Sequence, residues 1–559
     1  MISAAVAQPR ETRNHAAADA IIRSRGLVLD SLAQRYRRAR ASGDPRIAAL
    51  DQQVNATRER LARLAVAGDR GGNVESHRQR LEVARREKEQ AELALAAQDQ
   101  LFRQQREESM AGVAEVAAAL PRQSALVSFV RYERFEASAD ESPQKWPLRS
   151  SPFYAVLVQS PGDNFPKIVD LGTAESVDAL VRSLTGLIWD VANTSNRSPR
   201  RSLVAYRRKA AEVRRAVWDP IDSKLQEVER VFIVPDGDLN LLPFGALPIG
   251  DTAYLVESAP AMHLLSAERD LIHNPQDRHL DLAKSLLGLG FPDYDEPNLF
   301  AVSASKDSEV FKLAQADPGE GELVFRGQRT TCGDFDAMRF AALPGSQAEL
   351  QSIGHTWRQS AADATATLLD GARANEGAFK SLAPDNRILH LATHGFFLGG
   401  ECSLEARVER EPLLENPLLL SGLALAGANH RAFAKAGEED GILTAEEIAA
   451  LDLRGVQWAV LSGCETGVGE TTAGEGVFGL RRSFHMAGAR TVIMSLLPVD
   501  DEATRDWMSA LYRHRFTDDN STIDAVRQAS LDLLASRRAA GLSTHPFYWA
   551  GFVAAGDWR

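Results

Sequence analysis

Cysteine is scarce in this sequence: Cys332, Cys402 and Cys464 are the three it has in 559 residues. So few thiols, so scattered, exclude a disulfide framework and a thiolate metal site, and they suit a reducing compartment. Long hydrophobic runs are also missing. The longest apolar stretch, Leu418 to Ala428, falls short of the roughly 18 residues that span a bilayer, and the opening MISAAVAQPRETRNH has no apolar signal core. No membrane span and a cytoplasmic location are the expectation. There is no basic excess either: 64 Lys and Arg face 76 Asp and Glu, a formal charge of −12, which argues against a nucleic-acid partner because phosphate contact needs a positive surface. The first 120 residues hold 20 Lys/Arg against 16 Asp/Glu, so the acidity belongs to the remainder.

Cofactor signatures are absent as well. The glycine-rich stretch Gly467 to Gly476 lacks the Lys-Ser/Thr of a phosphate-binding loop, and Gly288-Leu-Gly290 is a lone GxG. His390 and His394 are four apart, but on a strand that spacing separates them by about 13 Å, too far to share a metal. No metal and no cofactor are expected. Cys332 and Cys402 lack any nearby His-Gly or buried-strand context and read as incidental.

What is present is an ordinary globular composition, 44% apolar and 25% charged, in a chain too long for one core. Residues 16–119 are rich in Ala, Arg, Glu, Gln and Leu with almost no proline, which predicts helices. Ile47, Leu50, Val54, Leu61 and Leu64 form one apolar stripe; Leu81, Ala84, Ala91, Leu95 and Phe102 form another, with Gly68 to Asn73 between them. Thin Ala-rich stripes fit antiparallel helices packed on each other or on another domain, or a coiled-coil arm that meets a regulatory partner. After Leu120-Pro121 short apolar runs take over: Ala125 to Tyr132, Phe153 to Ser160 and Val231 to Leu247, with helices near Val177 to Val191 and Ser202 to Leu225. A second block has strand candidates Ile388 to Thr393, Trp458 to Ser462 and Thr491 to Ser495, continuous enough for parallel strands covered on both faces. Thr444 and Glu447 have capping-box spacing, which predicts a helix start before the second of these strands.

Two of those strands end alike. ILHLATHG finishes in His394-Gly395, and WAVLSGC in Gly463-Cys464. Carboxyl ends of strands in an open α/β sheet face the ligand crevice. A thiolate is the nucleophile and an imidazole can activate it or protonate a leaving amine, so His394 and Cys464 are the candidate catalytic dyad. The backbone N–H groups of Gly395 and Cys464 are candidate oxyanion donors, since a residue without a side chain lets a substrate carbonyl come close. Taken singly, a cysteine after an apolar run is more often a buried structural residue.

The segments LPGSQAEL, ILHLATHGFF, ENPLLLSGLALAGANHR, DGILTAEEIAALDLRG, VLSGCETG, SFHMAGARTVIMSLLPVDDEAT and HPFYWAGFV, preceded by VFIVPDGDLNLLPFGAL, resemble in order the motifs of the CHAT family of caspase-like, clan CD cysteine peptidases, relatives of separase. The likeness runs from Ala125 to Arg559. It implies an α/β caspase-like three-layer sandwich with a mostly parallel sheet, duplicated into a pseudo-peptidase half and an active half and preceded by an α-helical segment. The implied division is 1–120 helical, 121–323 pseudo-peptidase and 324–559 catalytic. His394 then matches the family's general acid/base and Cys464 its nucleophile. Asp501, in PVDDEAT, matches an acidic residue that in separase-like peptidases receives a basic P1 side chain; Asp500 is equally visible there. Tetratricopeptide arrays, frequent in the family, are missing: no 34-residue repeat occurs. The reading is therefore a cysteine endopeptidase acting on a protein substrate and regulated through a protein partner at residues 1–120. The alternative is a non-catalytic scaffold that assembles through its helical segment.

Overall fold

A computed structural model of the chain describes residues 2–7, 11–25, 44–67, 74–98, 111–136, 149–192, 199–272, 284–296, 299, 327–328, 338–398, 416–435, 438–463, 470–472 and 476–559. Cys332, Cys402 and Cys464 lie outside the described residues, as does the expected helix break 68–73.

The helices used below are α1 (Glu11–Ser24), α2 (Pro45–Ala67), α3 (Val74–Gln98), α4 (Val113–Ala119), α5 (Ala174–Ala192), α6 (Pro199–Val217), α7 (Pro344–Ser360), α8 (Glu376–Leu382), α9 (Ala445–Ala450), α10 (Leu480–Ala487), α11 (Asp501–Phe516) and α12 (Thr522–Ala539). The strands are β1 (Ser124–Glu136), β2 (Arg149–Gln159), β3 (Lys167–Thr173), β4 (Arg230–Val234), β5 (Ala261–Leu264), β6 (Ser285–Pro292), β7 (Thr365–Gly371), β8 (Ile388–Ala392), β9 (Gly395–Phe397), β10 (Ser421–Ala424), β11 (Ile442–Thr444), β12 (Trp458–Leu461), β13 (Thr491–Ser495) and β14 (Phe552–Gly556).

Eleven strands make one continuous sheet in the order β7-β6-β8-β12-β13-β14-β5-β4-β1-β2-β3. The five strands from β7 to β13 are parallel; β14 runs against β13 and with β5, and β5, β4 and β1 continue its direction. The two halves of the sheet therefore run in opposite senses. Their carboxyl ends open at opposite edges. Where they meet, β14 and β5 share the single pair Ala555 and Leu264, so the seam depends on side chains more than on a ladder.

The first half is layered by strand alternation. Leu126, Val130, Phe232 and Val234 pack on one face with Ile21, Ile22 and Val116 of α1 and α4, while Val127, Phe129, Val231 and Ile233 join Val177, Val181 and Leu184 of α5 on the other. α2 and α3 form an antiparallel hairpin joined by Arg60–Glu87 at 2.6 Å and Arg58–Glu92 at 3.2 Å. The hairpin does not stand free. It lies against α9, where the wholly buried Glu446 takes Arg58 at 3.2 Å and Lys88 at 3.0 Å. Burial works against the ionised Glu446, yet Lys88 and Arg58 hold its pKa below the ordinary carboxylate value.

The strand that reads in sequence as a bare GxG is β6, inside the second half between β7 and β8. It begins at Ser285, well before the expected division at 323/324. Its glycines are packing residues: a Cβ on Gly288 would stand 2.5 Å from Leu350 Cδ1, and one on Gly290 3.1 Å from the Ser346 carbonyl. α7 can lie this close to the sheet only over glycine. The capping box is formed, with the Thr444 hydroxyl accepting from Glu447 N–H and the Glu447 carboxylate accepting from Thr444 N–H.

Candidate active site

The apolar runs ILHLA and WAVL are wholly buried, adjacent and parallel. Leu391 pairs with Leu461, and Ser462 N–H donates to the Leu391 carbonyl at 2.8 Å. In sequence His394 follows Leu391 by three residues and Cys464 follows Leu461 by three. The described chain reaches Gly463 on that side.

His394 sits in a nearly dry aromatic box. It is 4% exposed, with the Tyr294 ring 5.4 Å and the Phe340 ring 5.6 Å away, centroid to centroid. Its Nε2 is 2.8 Å from the Ala341 carbonyl oxygen. A carbonyl can only accept, so Nε2 carries the proton and, in the neutral ring, Nδ1 is the basic nitrogen. The Tyr294 hydroxyl lies 2.8 Å from Thr393 Oγ1, and Thr393 in turn donates to the Ala424 carbonyl. These bonds tie the end of β8 to β10. Gly395 opens β9 in a small four-stranded sheet with β10, β11 and the pair Gly327–Gln328.

Behind the site, His390 is clamped. Its Nε2 is 2.8 Å from Glu349 Oε1 on α7 and its Nδ1 is 3.1 Å from the Tyr512 hydroxyl on α11, and none of the three residues is exposed. Burial and the Glu349 charge push the Tyr512 hydroxyl well above its usual pKa, so it stays protonated.

Asp501 is the first residue of α11 and 4% exposed, rather than part of an open loop. Its Oδ2 accepts the Gly345 N–H at the start of α7, at 2.6 Å. A Cβ on Gly345 would come 2.4 Å from that oxygen. Asp500 is the N-cap of α11, accepting from Ala503 N–H at 2.9 Å; burial raises its pKa.

Among the described residues the carboxylates of Glu376, Glu439 and Glu447 are spaced as metal ligands would be. The Lys380 ammonium sits among them at 2.6, 2.8 and 3.0 Å. Despite burial, Glu447, Glu376 and Glu439 raise its pKa, so it supplies the positive charge itself.

The Ala341 carbonyl, Tyr294 and Phe340 were not legible as site residues. A backbone acceptor leaves no mark on residue type, and Tyr294 reaches His394 only because β6 pairs with β8. Among the described residues no helix is long and apolar enough to cross a membrane.

A family model described as "CHAT domain" matches residues 207–557, more than half of the chain. The chain belongs to the CHAT family. The matched CHAT region begins inside α6 and takes in β4, β5 and the whole second half of the sheet. No curated protein matches the chain. Among solved structures, separase of Saccharomyces cerevisiae in complex with securin is similar at 7% identity and a TM-score of 0.41, over 79% of this chain and 30% of the separase chain. The Arg-specific cysteine proteinase gingipain R is similar at 7% identity and a TM-score of 0.33, over 69% of this chain and 76% of that one. A complex of the pro- and mature domains of the same proteinase from Porphyromonas gingivalis is similar at 8% identity and a TM-score of 0.33, with the same coverage. This CHAT chain thus spans about 30% of the separase chain.

Proposed function

We propose that this CHAT protein is a cysteine endopeptidase of caspase-like type with His394 and Cys464 as its dyad. The observation that carries the reading is the pair of strand ends: His394 and Cys464 stand at equal offsets from the paired Leu391 and Leu461, and His394 has Nε2 committed to the Ala341 carbonyl. Nδ1 is then the nitrogen that takes the thiol proton. The Cys464 thiolate attacks the scissile carbonyl carbon, and the developing oxyanion is held by the N–H groups of Gly395 and Cys464. His394 returns the proton to the departing amine, and water then releases the acyl group from sulfur.

Asp501 is proposed to receive a basic P1 side chain. Its carboxylate, which also accepts the Gly345 N–H, would carry the negative charge that a guanidinium seeks. Residues 121–323 are read as a pseudo-peptidase half without a dyad, and the helices of residues 1–120 as the place where a regulatory protein acts.

The test is labelling with a peptidyl electrophile ending in Arg, followed by intact mass and peptide mapping. Stoichiometric modification at Cys464, with peptide hydrolysis abolished in both Cys464→Ala and His394→Ala, is the expected result. Hydrolysis that persists in purified Cys464→Ala sinks the assignment, and a folded wild-type chain that neither reacts nor cleaves turns the reading to a scaffold.

A further inference from the structure

An apolar cleft with a cavity volume of about 80 Å³ opens on one face of the sheet at the seam between its halves. Its walls come from both: Leu242, Phe244, Val256 and Met262 from the first, Trp549 and Phe552 from the second. Its apolar walls and its place between two structural units are those of a small-molecule site. A purely apolar seam would be filled by side chains, as it is along most of this sheet.

Two polar side chains line it, Arg527 and Ser530, both on α12. Three residues apart on a helix, they share a face with their Cβ atoms about 5–6 Å from each other. Arg527 donates through Nε to the Val256 carbonyl at 3.0 Å and through Nη2 to the Glu257 carbonyl at 3.4 Å. These bonds orient the guanidinium but neutralise nothing. Asp524, one turn earlier, is the nearby acid, and it lies 3.7 Å from Arg230. Arg527 therefore has no carboxylate in ion-pair contact among the described residues, and burial lowers its pKa. Ser530 is 6% exposed; its oxygen accepts the Trp507 indole N–H at 3.0 Å, and it donates to nothing among the described residues. One guanidinium edge and one hydroxyl proton stand together against an apolar cleft. That pairing is complementary to a single carboxylate, not to a dianion, which would bring a second charge without a second cation.

We propose that the seam cleft binds a free medium-chain monocarboxylate, its head group on Arg527 and Ser530 and its chain along Phe244, Met262 and Phe552. The inference is independent of the peptidase reading. Occupancy would reach the other half of the molecule directly, because Phe552 stacks on Trp507 at 4.7 Å and the Gly551 carbonyl accepts the Leu496 N–H at 2.9 Å, just ahead of Asp500 and Asp501.

The experiment titrates the full chain with octanoate, 1-octanol and octylamine, read by tryptophan fluorescence and by thermal midpoint. Octanoate should bind saturably with one site and raise the midpoint, while the alcohol and the amine bind at least about tenfold more weakly, as loss of a charge-assisted hydrogen bond requires. Arg527→Gln should weaken octanoate by about tenfold or more, and Val256→Trp, which puts a larger side chain on the cleft wall, should abolish it. Equal binding of octanol and octanoate overturns the proposal, and so does absence of octanoate binding to the wild type. Should Arg527→Gln fail to fold, Ser530→Ala decides: unchanged affinity for octanoate there overturns the two-point head-group site.

Discussion

The two halves of the sheet treat their carboxyl edges in opposite ways. Past β4 and β5 in the first half, Arg25, which follows α1, is driven into the edge: it is 4% exposed and pairs with Glu268 at 3.3 Å and Asp236 at 3.6 Å. Its Nη1 also reaches Ser128 on β1. Past β8 in the second half the comparable place holds His394, facing one carbonyl and two aromatic rings. A buried guanidinium between two carboxylates is a plug, because every charge in it is consumed by its partners. A histidine with one nitrogen held by an acceptor has its neutral tautomer set by that acceptor. One edge is closed by an ion-pair cluster; the other ends on a buried histidine whose tautomer a backbone carbonyl sets.

That contrast breaks most visibly if the two groups are deleted in parallel. His394→Ala should reduce peptide hydrolysis about a thousandfold or more, the upper range for loss of a general acid/base, with little change in stability. Arg25→Ala should do the reverse. Leaving two buried carboxylates unpaired costs about 3–5 kcal/mol, read as a lower urea midpoint, while a short fluorogenic peptide is still cleaved wherever the protein remains folded. A large hydrolysis defect in folded Arg25→Ala would mean that the edges are not independent.

Acid should loosen the seam. His263 on β5 has Nε2 2.9 Å from the Gly556 carbonyl on β14, and the His545 ring meets Tyr206 of α6 at 5.0 Å. Burial lowers both pKa values from 6.5 to about 4. Between those pH values the unfolded chain binds protons that the native histidines refuse. The stability is fully present above about 6.5 and is lost as pH falls toward about 4, by up to roughly 3 kcal/mol for each histidine. Urea unfolding at pH 7.5 and 5 should show this loss, and His263→Gln should remove part of it; a flat profile would place the pH sensitivity elsewhere.

Asp501→Asn should cost Arg substrates about 2–4 kcal/mol in kcat/KM, on the order of 30- to 900-fold, and Lys substrates less, since Arg alone offers a planar fork. Asp500→Asn should change little beyond the cap, at most about 1 kcal/mol of stability, because Asn also caps helices well. P1-varied fluorogenic peptides on both variants decide between them. A wild-type preference for an apolar or acidic P1 would remove the acidic pocket altogether, and a loss confined to Asp500→Asn would move the role by one residue.

Much of the second half was legible because its strands are short, buried and continuous. Ile388–Ala392, Trp458–Leu461 and Thr491–Ser495 fall within the runs that periodicity marks, and Thr444 caps α9 as its spacing predicts. Ser285–Pro292 was not legible, because Gly288 and Gly290 look like a loop until Leu350 and Ser346 are seen to occupy the space their side chains would need. The long stripes of α2 and α3 foretold paired helices but not their seat, since Glu446, the group that holds Arg58 and Lys88, lies more than 350 residues away.

The sequence by itself determined the α/β class, the pairing of a His-Gly and a Gly-Cys strand end, and the family, since local periodicity and short motifs are properties of neighbouring residues. Only the tertiary structure decided that the halves run in opposite senses, that Arg25 closes the first edge, that the Ala341 carbonyl selects the His394 tautomer and that Asp501 holds the start of α7. Each of these depends on a partner distant in sequence, in two cases a backbone group, and a backbone group carries no signature in the residue that bears it.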